Sequence, residues 1–139
     1  MTQLTVTLDS AGITDVPGFD AAGVACDIRE KNDLKRLDLA LFFSLRPCTA
    51  AGTFTTNAVK AAPVLLCQKH LAHGGPFHGI VANPGNANAC TGPEGLKDAQ
   101  TTAQRIAASL NLKPDAFFVC STGRIGQPLP MAKLLKGLL

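Results

Sequence analysis

A chain of 139 residues with 46% hydrophobic content is long enough for one globular domain with a well-supplied core. Thirteen basic against ten acidic residues leave only +3, and with no Trp or Tyr the aromatic-plus-basic surface that stacks single-stranded nucleic acid is missing, so no nucleic-acid partner is expected. No apolar run approaches membrane-spanning length and the amino terminus lacks the basic and apolar blocks of a secretory signal, so the expectation is a cytoplasmic, soluble protein with no membrane partner.

In chain order, residues 3–8 alternate polar and apolar and predict a half-buried strand, which residues 9–12 (Asp-Ser-Ala-Gly) break. A Pro17-Gly18 turn precedes residues 21–28, whose small and β-branched side chains suit a closely packed strand. Residues 29–36 mix both charge signs and read as a solvated loop rather than a phosphate-binding patch. Residues 37–45 alternate and then become apolar on both sides, as a central strand does, and a return through Arg46 and Pro47 makes residues 50–56 its expected partner. Pro63 opens a helix with an apolar stripe of Val64, Leu65, Leu66, Cys67 and Leu71, and Gly74-Gly75 stops it. Residues 77–83 predict a buried strand that runs into a loop of amides and small residues, 84–92.

Thr91 and Glu94 stand as a capping box before a second helix, with Leu96, Ala99, Ala103, Ile106, Ala107 and Leu110 on one face and Lys97, Asp98, Gln100, Gln104 and Arg105 facing away. A turn at 111–115 leads to an apolar strand, 117–120. A third helix begins at Met131, with Met131, Leu134, Leu135 and Leu138 as its apolar positions. That pattern breaks off at Leu139, as a truncated segment, a tail docked on a partner, or packing on the chain's own core would each produce. Without repeats or a linker, residues 1–139 read as a single domain of layered α/β or α+β architecture rather than a parallel doubly wound one.

Chemistry concentrates where the 117–120 strand ends in Ser121-Thr122-Gly123. A glycine lets a backbone N–H approach a ligand closely, and the Thr122 hydroxyl can donate to the same atom, which suits an oxyanion developing in acyl transfer. A turn with side-chain caps uses the same residue types. Elsewhere the signals are thinner. His70 and His73, with His78 close behind, lack a carboxylate or thiol at ligand spacing, so no metal is expected. The 84–92 loop has neither the lysine of a P-loop nor a dinucleotide fingerprint. Cys26, Cys48, Cys67, Cys90 and Cys120 form no Cys-x-x-Cys pair and read as reduced thiols without an adjacent base. Ser121 and Thr122 lack the Gly-x-Ser-x-Gly frame of a nucleophile elbow, so a helper role in an active site completed elsewhere is the economical reading.

Several of these stretches together resemble the ornithine acetyltransferase (glutamate N-acetyltransferase) family. They are Pro-Gly-Phe at 17–19, Ala-Ala-Gly-Val-Ala-Cys at 21–26, Asp-Leu-Ala-Leu at 38–41, Ala-Gly-Thr-Phe-Thr-Thr-Asn at 51–57 and Val-Lys-Ala-Ala-Pro-Val at 59–64. Asn-Ala-Asn-Ala-Cys-Thr-Gly at 86–92, Ser-Thr-Gly at 121–123, Ile-Gly at 125–126 and Pro-Leu-Pro-Met at 128–131 follow in the family's order. The resemblance implies an α+β layered sandwich, two β-layers between helices, of which this chain holds the N-terminal part of the alpha chain. It implies a precursor that cleaves itself before a Thr, which becomes the nucleophile of a beta chain and carries acetyl from N-acetylornithine to glutamate in arginine biosynthesis. Thr122 and Gly123 match the family's oxyanion pair. No cofactor is implied, although bifunctional members use acetyl-CoA as donor, and the partners implied are the beta chain, in a hetero-oligomer, and the two small-molecule substrates. The nucleophile lies beyond residue 139, so this segment alone is expected to be inactive. Pro84 stands where the family has Ser, Asp27 where Gly is common, and Arg124 where an apolar residue follows Thr-Gly. A specialised-metabolism acyltransferase of the same family, and a non-catalytic binding or assembly domain on the same fold, are the alternatives.

Overall fold

The computed structural model describes residues 12–138; the strand predicted at 3–8 lies outside the described residues. Alternating apolar residues form a four-stranded mixed sheet in the order β1 (Phe19–Val24), β2 (Leu39–Cys48), β3 (Phe77–Asn83), β4 (Phe117–Ser121). β2 runs antiparallel to both β1 and β3, and β4 runs parallel to β3, with Gly79 opposite Phe117 and Asn83 opposite Ser121. Helices α1 (Ala62–Ala72), α2 (Gly92–Ser109) and α3 (Met131–Gly137) connect and follow them.

All three helices pack on one face of the sheet. Ile106 and Ala107 of α2 and Leu134 and Leu138 at α3 share a core with Leu39, Val81 and Phe117; Ala62 and Leu66 of α1 and Ala99 and Ala103 of α2 close over Val119. Alanines at the α2 contact, at most 1% exposed at 99, 103 and 107, let that helix approach the sheet closely. The carboxyl-terminal helix docks on the chain's own core, with Leu134 1% exposed. The architecture is α+β and layered, as the sequence predicts, with one β-layer among the described residues.

Four expectations change. Residues 50–56 form no strand, because β1 and β3 already occupy both edges of β2. The first described strand ends at Val24 rather than 28: the buried Asp38 carboxylate accepts the Cys26 and Ile28 N–H groups, each at 2.6 Å, and draws that backbone out of the sheet. Thr91 forms no capping box, since its hydroxyl donates to Asn88 Oδ1 at 2.7 Å. Asp98 faces inward, and Leu110 rather than Asp98 is the exposed one of the pair.

Candidate functional site

Because β3 and β4 are parallel and in register, their carboxyl ends emerge side by side, and the two loops that follow continue the pairing beyond the sheet. Thr122 N–H donates to Asn83 O at 3.0 Å, Arg124 N–H to Gly85 O at 3.3 Å, Ala87 N–H to Arg124 O at 2.9 Å and Gly126 N–H to Ala89 O at 2.8 Å. Gly123 has φ +134°, and a Cβ there would fall 2.6 Å from both Asn86 N and Gly85 O. No other residue fits so close an approach of two backbones.

Side-chain amides lock the same tip. Asn83, 3% exposed, donates through Nδ2 to Asn86 O at 3.1 Å and accepts the Ser121 hydroxyl on Oδ1 at 2.7 Å. Asn86 O can only accept, which fixes the orientation of the Asn83 amide. Asn86 in turn donates to Pro128 O at 2.8 Å and accepts Asn88 N–H, while the fully buried Asn88 donates to Gly95 O at 2.9 Å. The Asn86 and Asn88 amides thus satisfy buried backbone groups of this loop and of Pro128 and Gly95. Ser121 spends its proton on an amide oxygen, which is no general base, so nothing activates it as a nucleophile.

Thr122 and Gly123 are both exposed, and neither the Thr122 hydroxyl nor the Gly123 N–H is taken by a hydrogen bond among the described residues. Two adjacent donors therefore stand free on a tip held by the Asn83 and Asn86 amides. An apolar hollow of about 320 Å³ runs beside β4 between Phe54, Pro63, Leu71 and Phe118, and it reaches Ser121 but not Thr122. The thiol of Cys67, which α1 contributes to the lining, is pushed up by burial and donates to Val119 O at 3.3 Å, so it stays neutral and offers no nucleophile.

The other candidates resolve into structure. His70 Nδ1 lies 2.8 Å from Phe117 O and His78 Nδ1 3.0 Å from Ser44 O, and among the described residues no three His, Cys, Asp or Glu side chains gather as metal ligands would. Burial, aided by the Asp38 charge, pushes the Cys26 thiol up as well. All five cysteines are free thiols. Arg124 joins the tip through its main chain, and its side chain is exposed. Two residues escape sequence reasoning: Asn83, whose only signal is an amide closing an otherwise apolar strand, and Arg29, concealed in the mixed-charge run, whose side chain lies against Gly85.

The ArgJ family profile matches residues 20–139. The chain is 50% identical over 131 residues to the arginine biosynthesis bifunctional protein ArgJ 1 of Clostridium acetobutylicum, covering 94% of this chain and 31% of that protein. It is 45% identical over 132 residues to the ArgJ protein of Parasynechococcus marenigrum, at 94% and 32% coverage. The chain thus spans about a third of the length of these curated relatives. Among solved structures, the ornithine acetyltransferase of Mycobacterium tuberculosis in complex with ornithine superposes with TM-score 0.84 at 47% identity, over 91% of this chain and 67% of that one. The ArgJ protein of Bacillus halodurans gives TM-score 0.84 at 34% identity, over 92% and 65%.

Proposed function

The chain belongs to the ArgJ family, and on that premise we propose that it supplies the oxyanion-stabilising part of an arginine-biosynthesis acetyltransferase. Residues 1–139 are then one incomplete domain, the N-terminal part of the alpha chain. The free, adjacent Thr122 hydroxyl and Gly123 N–H carry this reading. A threonine at the amino terminus of a beta chain cut from the same precursor attacks the acetyl carbonyl of N-acetylornithine. As the carbonyl carbon becomes tetrahedral its oxygen takes negative charge, and the two donors hold it; collapse expels ornithine and leaves an acetyl ester on the threonine. Glutamate's amine attacks that ester, the same two donors hold the same oxygen again, and N-acetylglutamate leaves. No cofactor is needed, and acetyl-CoA serves as an alternative donor in a bifunctional enzyme. The alpha and beta chains form a hetero-oligomer in the cytoplasm.

A hydroxyl and an amide N–H suit this role, since each can donate to the oxygen as its charge develops. Their value comes from being fixed before the charge appears, and the doubled main-chain and amide lacing of the tip supports that. In the complete protein, Thr122→Ala should lower kcat for acetyl transfer by about a hundredfold, a loss of about 3 kcal/mol of transition-state stabilisation, with little change in thermal stability. Unchanged turnover in that variant sinks the oxyanion assignment.

A further inference from the structure

Another hollow lies among the helices, at the amino end of β4 and so the length of that strand away from Thr122 and Gly123. Residues 66, 69 and 70 fall on one face of α1, continued by His73 at its cap, and residues 100, 103 and 104 fall on one face of α2. These two faces and the turn at 113–115 frame a hollow of about 410 Å³. Leu66 and Ala103, both buried, belong to the core beneath it. The rim is polar: Lys69 and His73 stand on one side, the Gln100 and Gln104 amides on another, and Lys113 and Asp115 close the third.

The buried polar side chain in this lining is His70, 6% exposed. Its Nδ1 lies 2.8 Å from Phe117 O, and because a carbonyl only accepts, that nitrogen carries the proton. Nε2 is left as an acceptor. It takes no hydrogen bond among the described residues and is not sealed from solvent, so it opens onto the hollow that His70 lines. The charges around it are unanswered: Lys69, Lys113 and Asp115 enter no ion pair among the described residues, although they share the hollow. A basic side chain in the last turn of α1 is favoured by the helix dipole alone, which accounts for Lys69. It does not account for Lys113, which another element brings to the same place. Two lysines against one carboxylate favour an anion. Lysines donate as point charges rather than in a planar fork, so they suit a tetrahedral oxyanion at least as well as a carboxylate. The acceptor among them adds a requirement, that the anion bring a proton of its own.

We propose that this hollow binds inorganic phosphate as hydrogen phosphate, with Lys69 and Lys113 donating to its oxygens and His70 Nε2 accepting its P–OH. The site shares no residue with the proposed acetyltransferase machinery and stands or falls separately from it. The test is calorimetric titration of the complete protein with inorganic phosphate, sulfate and methyl phosphate, at constant ionic strength and above the second ionisation of phosphate. All three are then tetrahedral dianions, but only hydrogen phosphate has a proton to give. It should saturate one site and bind about tenfold tighter than either of the others. Lys69→Ala and Lys113→Ala should each weaken it about tenfold, and Asp115→Asn should tighten it. Both lysines are exposed, so these variants should keep the parental melting temperature without phosphate; should one melt early, the corresponding Lys→Met variant keeps the stem and is read in its place. Acetyl transfer in phosphate-free buffer should be unchanged in all of them. No saturable binding of inorganic phosphate overturns the proposal, as does binding that neither lysine variant weakens. Sulfate or methyl phosphate bound as tightly as hydrogen phosphate overturns it too, because a merely basic surface would not tell them apart.

Discussion

Asn83 is the residue at which the two strands of the tip are sewn together, through its main-chain oxygen to Thr122 and its amide to Ser121 and Asn86. Removing the amide orphans a buried carbonyl and a hydroxyl at once. Asn83→Ala should therefore cost about 2 kcal/mol of stability, read by urea unfolding of the complete protein, and, on the proposed oxyanion role of Thr122 and Gly123, lower kcat as that pair loosens. Ser121→Ala, which leaves only Asn83 Oδ1 without its donor, should cost less; equal costs would refute a two-sided role for the amide. Asp98 shows the opposite case, a polar group the fold tolerates at a loss. Burial, and then the neighbouring Glu94 charge, push its carboxyl above the usual carboxylate range, against a smaller opposing pull from Lys97. The folded state thus holds the Asp98 proton more tightly than the unfolded chain, so stability falls as pH rises from the ordinary value near about 4 through the raised one. Asp98→Asn should melt higher than the parent at pH 7, with the gap closing as pH drops below about 4. A gap that stays constant with pH would remove ionisation as the cause.

At the scale of elements, α1 does for β4 what a fifth strand would otherwise do. β4 is an edge strand, and its outward carbonyls at Phe117 and Val119 are met by His70 Nδ1 and the Cys67 thiol. Since a carbonyl only accepts, His70 carries its proton on Nδ1. His70→Phe keeps the volume but strips the donor from a buried carbonyl, and should cost about 1–3 kcal/mol in denaturant unfolding; a neutral result would mean that the edge is satisfied in another way. This contact also shows what was legible in the sequence. The helix, its stop at Gly74-Gly75 and the strand at 77–83 follow from local periodicity and punctuation, whereas the proposed role of Thr122 and Gly123 comes from the family motifs rather than from spacing. What joins them is not local. The partner of β2 is β3 from across α1 rather than the adjacent 50–56 segment, Asp38 ends β1 from twelve residues away, and Thr91 spends its capping hydroxyl on Asn88. Arg29 was hidden for the same reason: a charged run looks solvated until one of its members is seen lying on a glycine of a distant loop.

At the scale of the whole molecule, the sheet has helices on one face and an apolar row on the other. Ala21, Phe42, Ile80 and Phe118 are paired neighbours across all four strands, and Phe42 and Ile80 remain 36% and 43% exposed. A row of this kind burdens an isolated layer, and in a fold with two β-layers between helices it is the surface the second layer covers. The consequence can be read from one position in two contexts. In the 139-residue chain alone, Ile80→Lys places a charge in solvent, so it should reduce binding of a hydrophobic dye and improve solubility without lowering the melting temperature. In the complete protein the same lysine would be trapped between two apolar layers without a partner, so it should abolish acetyl transfer and reduce the yield of folded protein. The opposition of sign is the diagnostic, because a surface position would be neutral in both contexts and a core position harmful in both. A complete protein that carries Ile80→Lys with parental activity and melting temperature would show that this face meets water in the assembled molecule, and the layered arrangement built on it would fall.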